Sequence, residues 1–306
     1  MLIKIAHYYY KQGLTQDEIA KKLSISRQKV NRLSQRLIEE GIVKIEIVED
    51  GELCIELENK LENTFELKQA IVVPIENNEF SLERLGKAGA NYINNLIQTD
   101  TIIGVSWGKT LSSVAKHLVP NHSAENVSVI QLVGGLNSAD RSSKADEITR
   151  SFASQLGGTP YLMYAPAVVK NKEMKDGLMS EQSIQQVFAM IQKCHVAMVG
   201  IGELDEQATL FKENYLELQD LNSLQQLGCV GDICSRFFNL EGEIKITPQY
   251  ERVIGISPEE LKKIPLVIGI AGGDKKVDAI VGALRSGYLD VFITDDHMAA
   301  KLLESF

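Results

Sequence analysis

Apolar positions recur at three- and four-residue spacing through residues 15–41, TQDEIAKKLSISRQKVNRLSQRLIEEG. Ile19, Ala20 and Leu23 share one face of a first helix, and Val30, Leu33 and Leu37 share one face of a second. Thr15 and Glu18 have the spacing of a capping box, Ser24 to Ser26 supply a polar turn, and Ser26 caps the second helix. Upstream, Ile3, Ala6, His7 and Tyr10 read as the inner side of a supporting helix. Beyond Gly41, a helix stop, residues 42–48 alternate apolar and polar positions as a wing strand does.

Residues 49–68 are acidic and carry Leu53, Leu57, Leu61 and Phe65 at four-residue steps, which predicts a linker helix. Its narrow stripe can dock on the chain's own second domain or repack between subunits, and the pattern does not choose between them. From about residue 69 the pattern changes to short apolar runs at 70–74, 101–105, 127–132, 159–164, 196–201, 266–271 and 291–294. Helical stretches at 82–97, 110–118, 145–156, 276–286 and 297–303 lie between them. The alternation predicts a Rossmann-like α/β domain with a mostly parallel sheet. Three segments follow: a (winged) helix-turn-helix over 1–48, a linker helix over 49–68, and an effector and oligomerisation domain over 69–306.

Charge divides along the same line. The chain of 306 residues carries −9 overall, but residues 1–48 hold nine Lys or Arg against five Asp or Glu, a net +4, leaving −13 for the remainder. A basic head on an acidic body keeps phosphate contacts local to the head. In the second helix, Arg27, Gln28, Lys29, Asn31 and Arg32 are left pointing outward by the Val30, Leu33 and Leu37 stripe. Arg, Asn and Gln can pair with base edges and Lys with phosphates, so these five are the candidate readers of operator DNA. An ordinary helical hairpin with a solvated charged face is the plainer alternative.

Cys54, Cys194, Cys229 and Cys234 are scattered without zinc-ligand spacing, so free thiols and no metal are expected. No apolar run approaches the ~18 residues that suggest a membrane span, and no secretory leader is read, so a cytoplasmic protein is expected.

Ligands in open parallel sheets bind beyond the carboxyl ends of strands, where this chain places its glycines. The loops are Gly104 to Thr110 (GVSWGKT), Gly134-Gly135, Gly200 to Glu203 (GIGE) and Gly272 to Lys276 (GGDKK). Ser106, Gly108, Lys109 and Thr110 stand where a strand gives way to a helix, a place suited to a phosphate. Lys276 can meet a second anionic group, and Asp232 can accept hydrogen bonds from sugar hydroxyls. Asp232 can equally cap a loop, with Phe237 and Phe238 as core.

With these residues in view, the chain resembles the SorC family of bacterial sugar-sensing transcriptional regulators. The likeness rests on YYYKQGLTQDEIAKKLSISRQKVNRL, GVSWGKTL, the VGG of 133–135, VGDICSRFF and IAGGDKKVDAIVGALRSGYLDVFITDD, in the family's order. It implies an effector domain of phosphosugar-isomerase type, a phosphorylated sugar as effector with no other cofactor, and a homo-oligomer, usually a tetramer. Carried over by motif, Ser106, Gly108, Lys109 and Thr110 meet the phosphate, Asp232 the sugar, and Lys276 an anionic or hydroxyl group. Asp146 stands where family members often carry asparagine. The competing reading is a sugar-phosphate isomerase, which needs a placed carboxylate base; Asp146, Glu203, Asp232 and Asp274 are available. A DNA head joined to a sugar pocket accounts for the chain without catalysis, so no enzyme is expected.

Overall fold

The structure is a computed structural model that describes residues 1–44, 54–75, 80–120, 124–135, 144–212 and 215–304. Two compact units result, Met1–Asp50 and Gly51–Phe306.

In the first unit, α1 (Leu2–Ala6) runs into a π turn (His7–Lys11) and is followed by α2 (Gln16–Leu23) and α3 (Arg27–Glu39). The capping box forms as the spacing dictates, with Glu18 N–H donating to Thr15 Oγ1 and Thr15 N–H donating to Glu18 Oε2. Ser26 Oγ accepts from Lys29 N–H and so opens α3. Ile5, Ile19, Val30 and Leu37 are fully buried together, with Ala20 and Leu33 beside them. The inner side of the first helix differs from the expected one. Ile5 points inward, with Leu2, Ala6 and Tyr8 packed around the core, whereas Ile3 is 74% exposed, Tyr10 43%, and His7 also faces outward. For His7 and Tyr10 the π turn is the reason, since its wider winding shifts the register of the side chains after Ala6, whereas Ile3 precedes it on the outer side of α1. After Gly41, residues 42–44 form turn and coil without a strand, and the rest of the expected wing lies outside the described residues.

The second unit opens with α4 (Ile55–Phe65), β1 (Gln69–Val73), α5 (Leu82–Leu96), β2 (Ile102–Val105), α6 (Lys109–His117), β3 (Ser128–Gln131), α7 (Ala145–Gln155) and β4 (Thr159–Tyr161). It continues with α8 (Lys172–Met179), α9 (Gln182–Ile191), β5 (Val196–Gly200), β6 (Gly202–Glu203), α10 (Thr209–Lys212), α11 (Leu218–Gln226), β7 (Cys229–Ile233) and β8 (Arg236–Asn239). The chain closes with α12 (Pro258–Leu261), β9 (Leu266–Ile270), α13 (Val277–Arg285), β10 (Val291–Asp295) and α14 (Asp296–Glu304). Seven strands form one parallel sheet in the order β1-β10-β9-β5-β2-β3-β4. The near-continuous apolar runs are explained by burial on both faces. Leu85, Ile93, Leu111, Val114 and Phe152 of α5, α6 and α7 cover one face, while Leu61, Ile184, Ile280 and Met298 belong to the core on the other. The strand order reverses between β5 and β2, which makes that junction the topological switch point.

The apolar stripe of α4 lies in this unit's own core. Leu61 is fully buried, and Leu57 and Phe65 pack against the same cluster; Leu53 lies outside the described residues. Glu62 Oε1 accepts from Ala70 N–H and Glu58 Oε1 from Val72 N–H, each at 2.9 Å, so α4 occupies the free edge of β1. A second, smaller sheet, β6-β7-β8, is antiparallel and was not evident as a pattern. Among the described residues no helix is long and apolar enough to cross a membrane.

Candidate functional site

A cavity of about 220 Å³ opens at the switch point. Its walls come from the loop after β2 (Ser106 to Thr110), the segment after β5 (Gly200 to Glu203), residues 207–211, and Asp232, Cys234, Phe237 and Lys276. One end is the start of α6. Gly108 precedes it at φ +122°, a conformation that side chains rarely adopt, and among the described residues no side chain caps the helix, whose first turn holds no acid. The backbone amides of that turn therefore face a site suited to an anion. Ser106 Oγ is engaged, accepting from Gly200 N–H at 3.2 Å, and so ties the β2 loop to the β5 loop.

The other end is acidic. Gly202 pairs with Asp232 across β6 and β7, and a Cβ at Gly202 would stand 2.0 Å from Asp232 Oδ1, so only glycine allows the carboxylate this place. Asp232 is 7% exposed and its Oδ2 accepts from Ser235 N–H at 2.8 Å. Burial pushes its pKa up to about 6, opposed by the Ser235 amide and the charge of Lys276. Lys276 Nζ donates to the carbonyl of Ile201 at 2.7 Å. Burial pulls that amine down from its ordinary value, while Glu203 and Asp232 favour its charged form. Trp107 Nε1, shielded from solvent in the wall, has no hydrogen-bond partner among the described residues.

Not every expected residue meets here. Ser106, Gly108, Lys109, Thr110, Asp232 and Lys276 line this cavity, but Gly135 and Asp146 line a separate, more open recess with Lys144, Pro166 and Tyr215. Gly134 lines neither; its Cα faces the backbone of Pro166, where a Cβ would fall 2.4 Å from the carbonyl oxygen. The reason is the sheet: β3, which the Gly-Gly pair follows, lies one strand beyond β2 from the switch point.

On α3, Arg27, Gln28, Lys29, Asn31 and Arg32 are all exposed, as the buried stripe requires. Two are touched by α2: Arg27 lies 3.7 Å from Asp17, and Asn31 Oδ1 accepts from Gln16 Nε2 at 3.3 Å. Gln16 was not singled out by sequence reasoning, because a polar residue at the start of a helix reads as solvated.

Comparison with known proteins now decides the family. Residues 49–304 match the family described as "Putative sugar-binding domain", and residues 8–44 match "Winged helix-turn-helix DNA-binding". The chain is 32% identical over 303 residues to the deoxyribonucleoside regulator of Bacillus subtilis, covering 98% of this chain and 96% of that protein. It is 30% identical to the sorbitol operon regulator of Klebsiella pneumoniae, covering 99% and 98%. The crystal structure of that full-length regulator, SorC, matches with a TM-score of 0.78 at 30% identity, covering 99% of this chain and 97% of that one. The chain belongs to the SorC family of transcriptional regulators.

SorC-family membership makes this chain a DNA-binding regulator with a sugar-sensing domain, and not an enzyme. Among the described residues no His, Cys, Asp or Glu cluster can hold a metal, and Cys194, Cys229 and Cys234 are buried thiols outside any disulfide. Burial pushes the Cys194 thiol up to about 12, which leaves it unreactive at neutral pH. The family motif VGDICSRFF includes Arg236, whose part was unreadable from sequence. Its guanidinium donates to the carbonyls of Tyr250, Gly255 and Ile256 and lies 4.4 Å over the Tyr250 ring. It anchors the hairpin that presents Asp232 and lines no part of the cavity itself.

Proposed function

We propose that this protein controls a carbohydrate operon from the cytoplasm, as a homo-oligomer, usually a tetramer in this family, whose operator affinity responds to a phosphorylated sugar. Arg27, Gln28, Lys29, Asn31 and Arg32 contact operator DNA. Ser106, Gly108, Lys109 and Thr110 receive the phosphate, Asp232 and Lys276 the sugar. Gly135 and Asp146 contribute a neighbouring recess, and Gly134 holds the chain against Pro166 beside it. The observation that carries this reading is the uncapped start of α6 opening into a cavity whose far side holds the buried carboxylate of Asp232 and the half-buried one of Glu203. An anion fits the first and hydroxyl donors fit the second.

Calorimetry with matched pairs of sugars and sugar phosphates tests it. The expected result is binding of the phosphate ester and loss of affinity for its unphosphorylated parent; equal affinity would reduce the glycine loops to turns. On the DNA side, Arg27→Ala or Gln28→Ala should relax base preference at one operator position by about 1–3 kcal/mol. Unaltered footprints in both variants would move the reading surface elsewhere.

A further inference from the structure

The two ends of the cavity differ in sign, and the chain measures the distance between them. At Gly200 the segment after β5 is bonded to Ser106, beside the start of α6. Three residues later, at Glu203, it is paired with Gly231 next to Asp232. Three extended residues span at most ~10 Å, the length of one sugar between a phosphate and its distal hydroxyls. The cavity volume of about 220 Å³ leaves little beyond such a molecule.

Among the described residues, the acidic end holds Asp232 and Glu203 against one cation, Lys276, which is bonded to Ile201 O. With all three ionised that end keeps a net negative charge. Hydroxyls suit it, because they donate hydrogen bonds and carboxylates only accept. A second phosphate does not: it is itself an acceptor, and it brings like charge to a desolvated site.

Resting on the reading that α6 receives a phosphate, we propose that this pocket selects sugars carrying one phosphate and rejects those with a second phosphate at the far end. Glu203 and Asp232 are the residues that set this specificity.

The test uses the full chain and titrates ribose 5-phosphate, fructose 6-phosphate and glucose 6-phosphate against ribulose 1,5-bisphosphate, fructose 1,6-bisphosphate and glucose 1,6-bisphosphate. The unphosphorylated sugars run alongside, and calorimetry is paired with the fluorescence of Trp107, the chain's one tryptophan. Each bisphosphate should bind at least about tenfold more weakly than the best monophosphate, and Glu203→Gln should shrink that ratio. Glu203→Lys should bring a bisphosphate to parity or beyond. A bisphosphate that binds the native protein as tightly as its monophosphate, while the bare sugar does not bind, overturns the selectivity and leaves the phosphate site standing. Bare sugars that match their monophosphates, or a panel in which no phosphate ester binds, overturn the phosphate site and the selectivity with it. A ratio that Glu203→Gln and Glu203→Lys both leave unmoved removes Glu203 from the role.

Discussion

At the scale of single residues, Asp232 bears a conflict between stability and binding. Its carboxylate is ionised at neutral pH inside a wall that favours the neutral acid, with a pKa pushed up to about 6 by burial. The folded state thus holds the proton more tightly than the unfolded chain does. The penalty is absent below the ordinary carboxylate range, grows as pH rises towards 6, and is complete above it. Asp232→Asn keeps an acceptor for Ser235 N–H and removes the charge. It should raise stability at pH 7.5 by up to about 3 kcal/mol, offset in part by Lys276 losing a neighbour, and by almost nothing at pH 4. Denaturant unfolding at the two pH values checks this, and an equal effect at both would refute the cause given. The same variant should lose sugar affinity, since an amide nitrogen replaces one acceptor. Residue identity was legible here because an acid beside glycines stands out; its burial was not, because that depends on Gly202, which approaches from another strand.

Among the elements, what could be read depended on periodicity. The inner strands of the parallel sheet appear as apolar runs because burial on both faces removes polar alternation, while the edge strands β1 and β4 are only partly buried. The β7–β8 hairpin escaped notice for a definite reason: its turn places Cys234 and Ser235 at φ +53° and +60°, where asparagine and glycine usually announce a tight hairpin. Two-residue β6 is too short for any pattern. The stripe of α4 was visible, but its partner was not, since Glu58 and Glu62 read as solvated acids until β1 lies beside them. Those carboxylates satisfy two edge-strand amides and block a sheet edge open to pairing. Glu58→Ala leaves Val72 N–H without its acceptor and should cost about 1–3 kcal/mol. Leu61→Ala, which empties a fully buried site, should cost about 2–5 kcal/mol. Thermal unfolding measures both; a Leu61 variant as stable as the native chain would put that side chain outside the core.

For the whole molecule, a sugar in one unit can alter operator affinity only through a state that both ligands bias, and the coupling must be reciprocal. The chain enters the sugar-binding unit at α4, whose carboxylates hold β1; β1 pairs with β10, and α4 also packs on α14. The route to be tested is a shift in these strands on filling of the pocket, passed to α4 through those bonds. Charged substitution of Leu61 cannot test this, because it destroys the core. Glu58→Gln with Glu62→Gln can, since glutamine keeps an acceptor and weakens each bond to a neutral one, roughly half as strong. The double variant should bind the sugar phosphate within a few-fold of the native protein, and bind operator normally without sugar. Its operator affinity should respond less to sugar than the ~5–150-fold typical of such couplings. Sugar affinity measured with and without operator should fall in the same proportion, by reciprocity. If operator release by sugar is undiminished in the double variant, α4 is a passive spacer and the signal travels through contacts between effector domains.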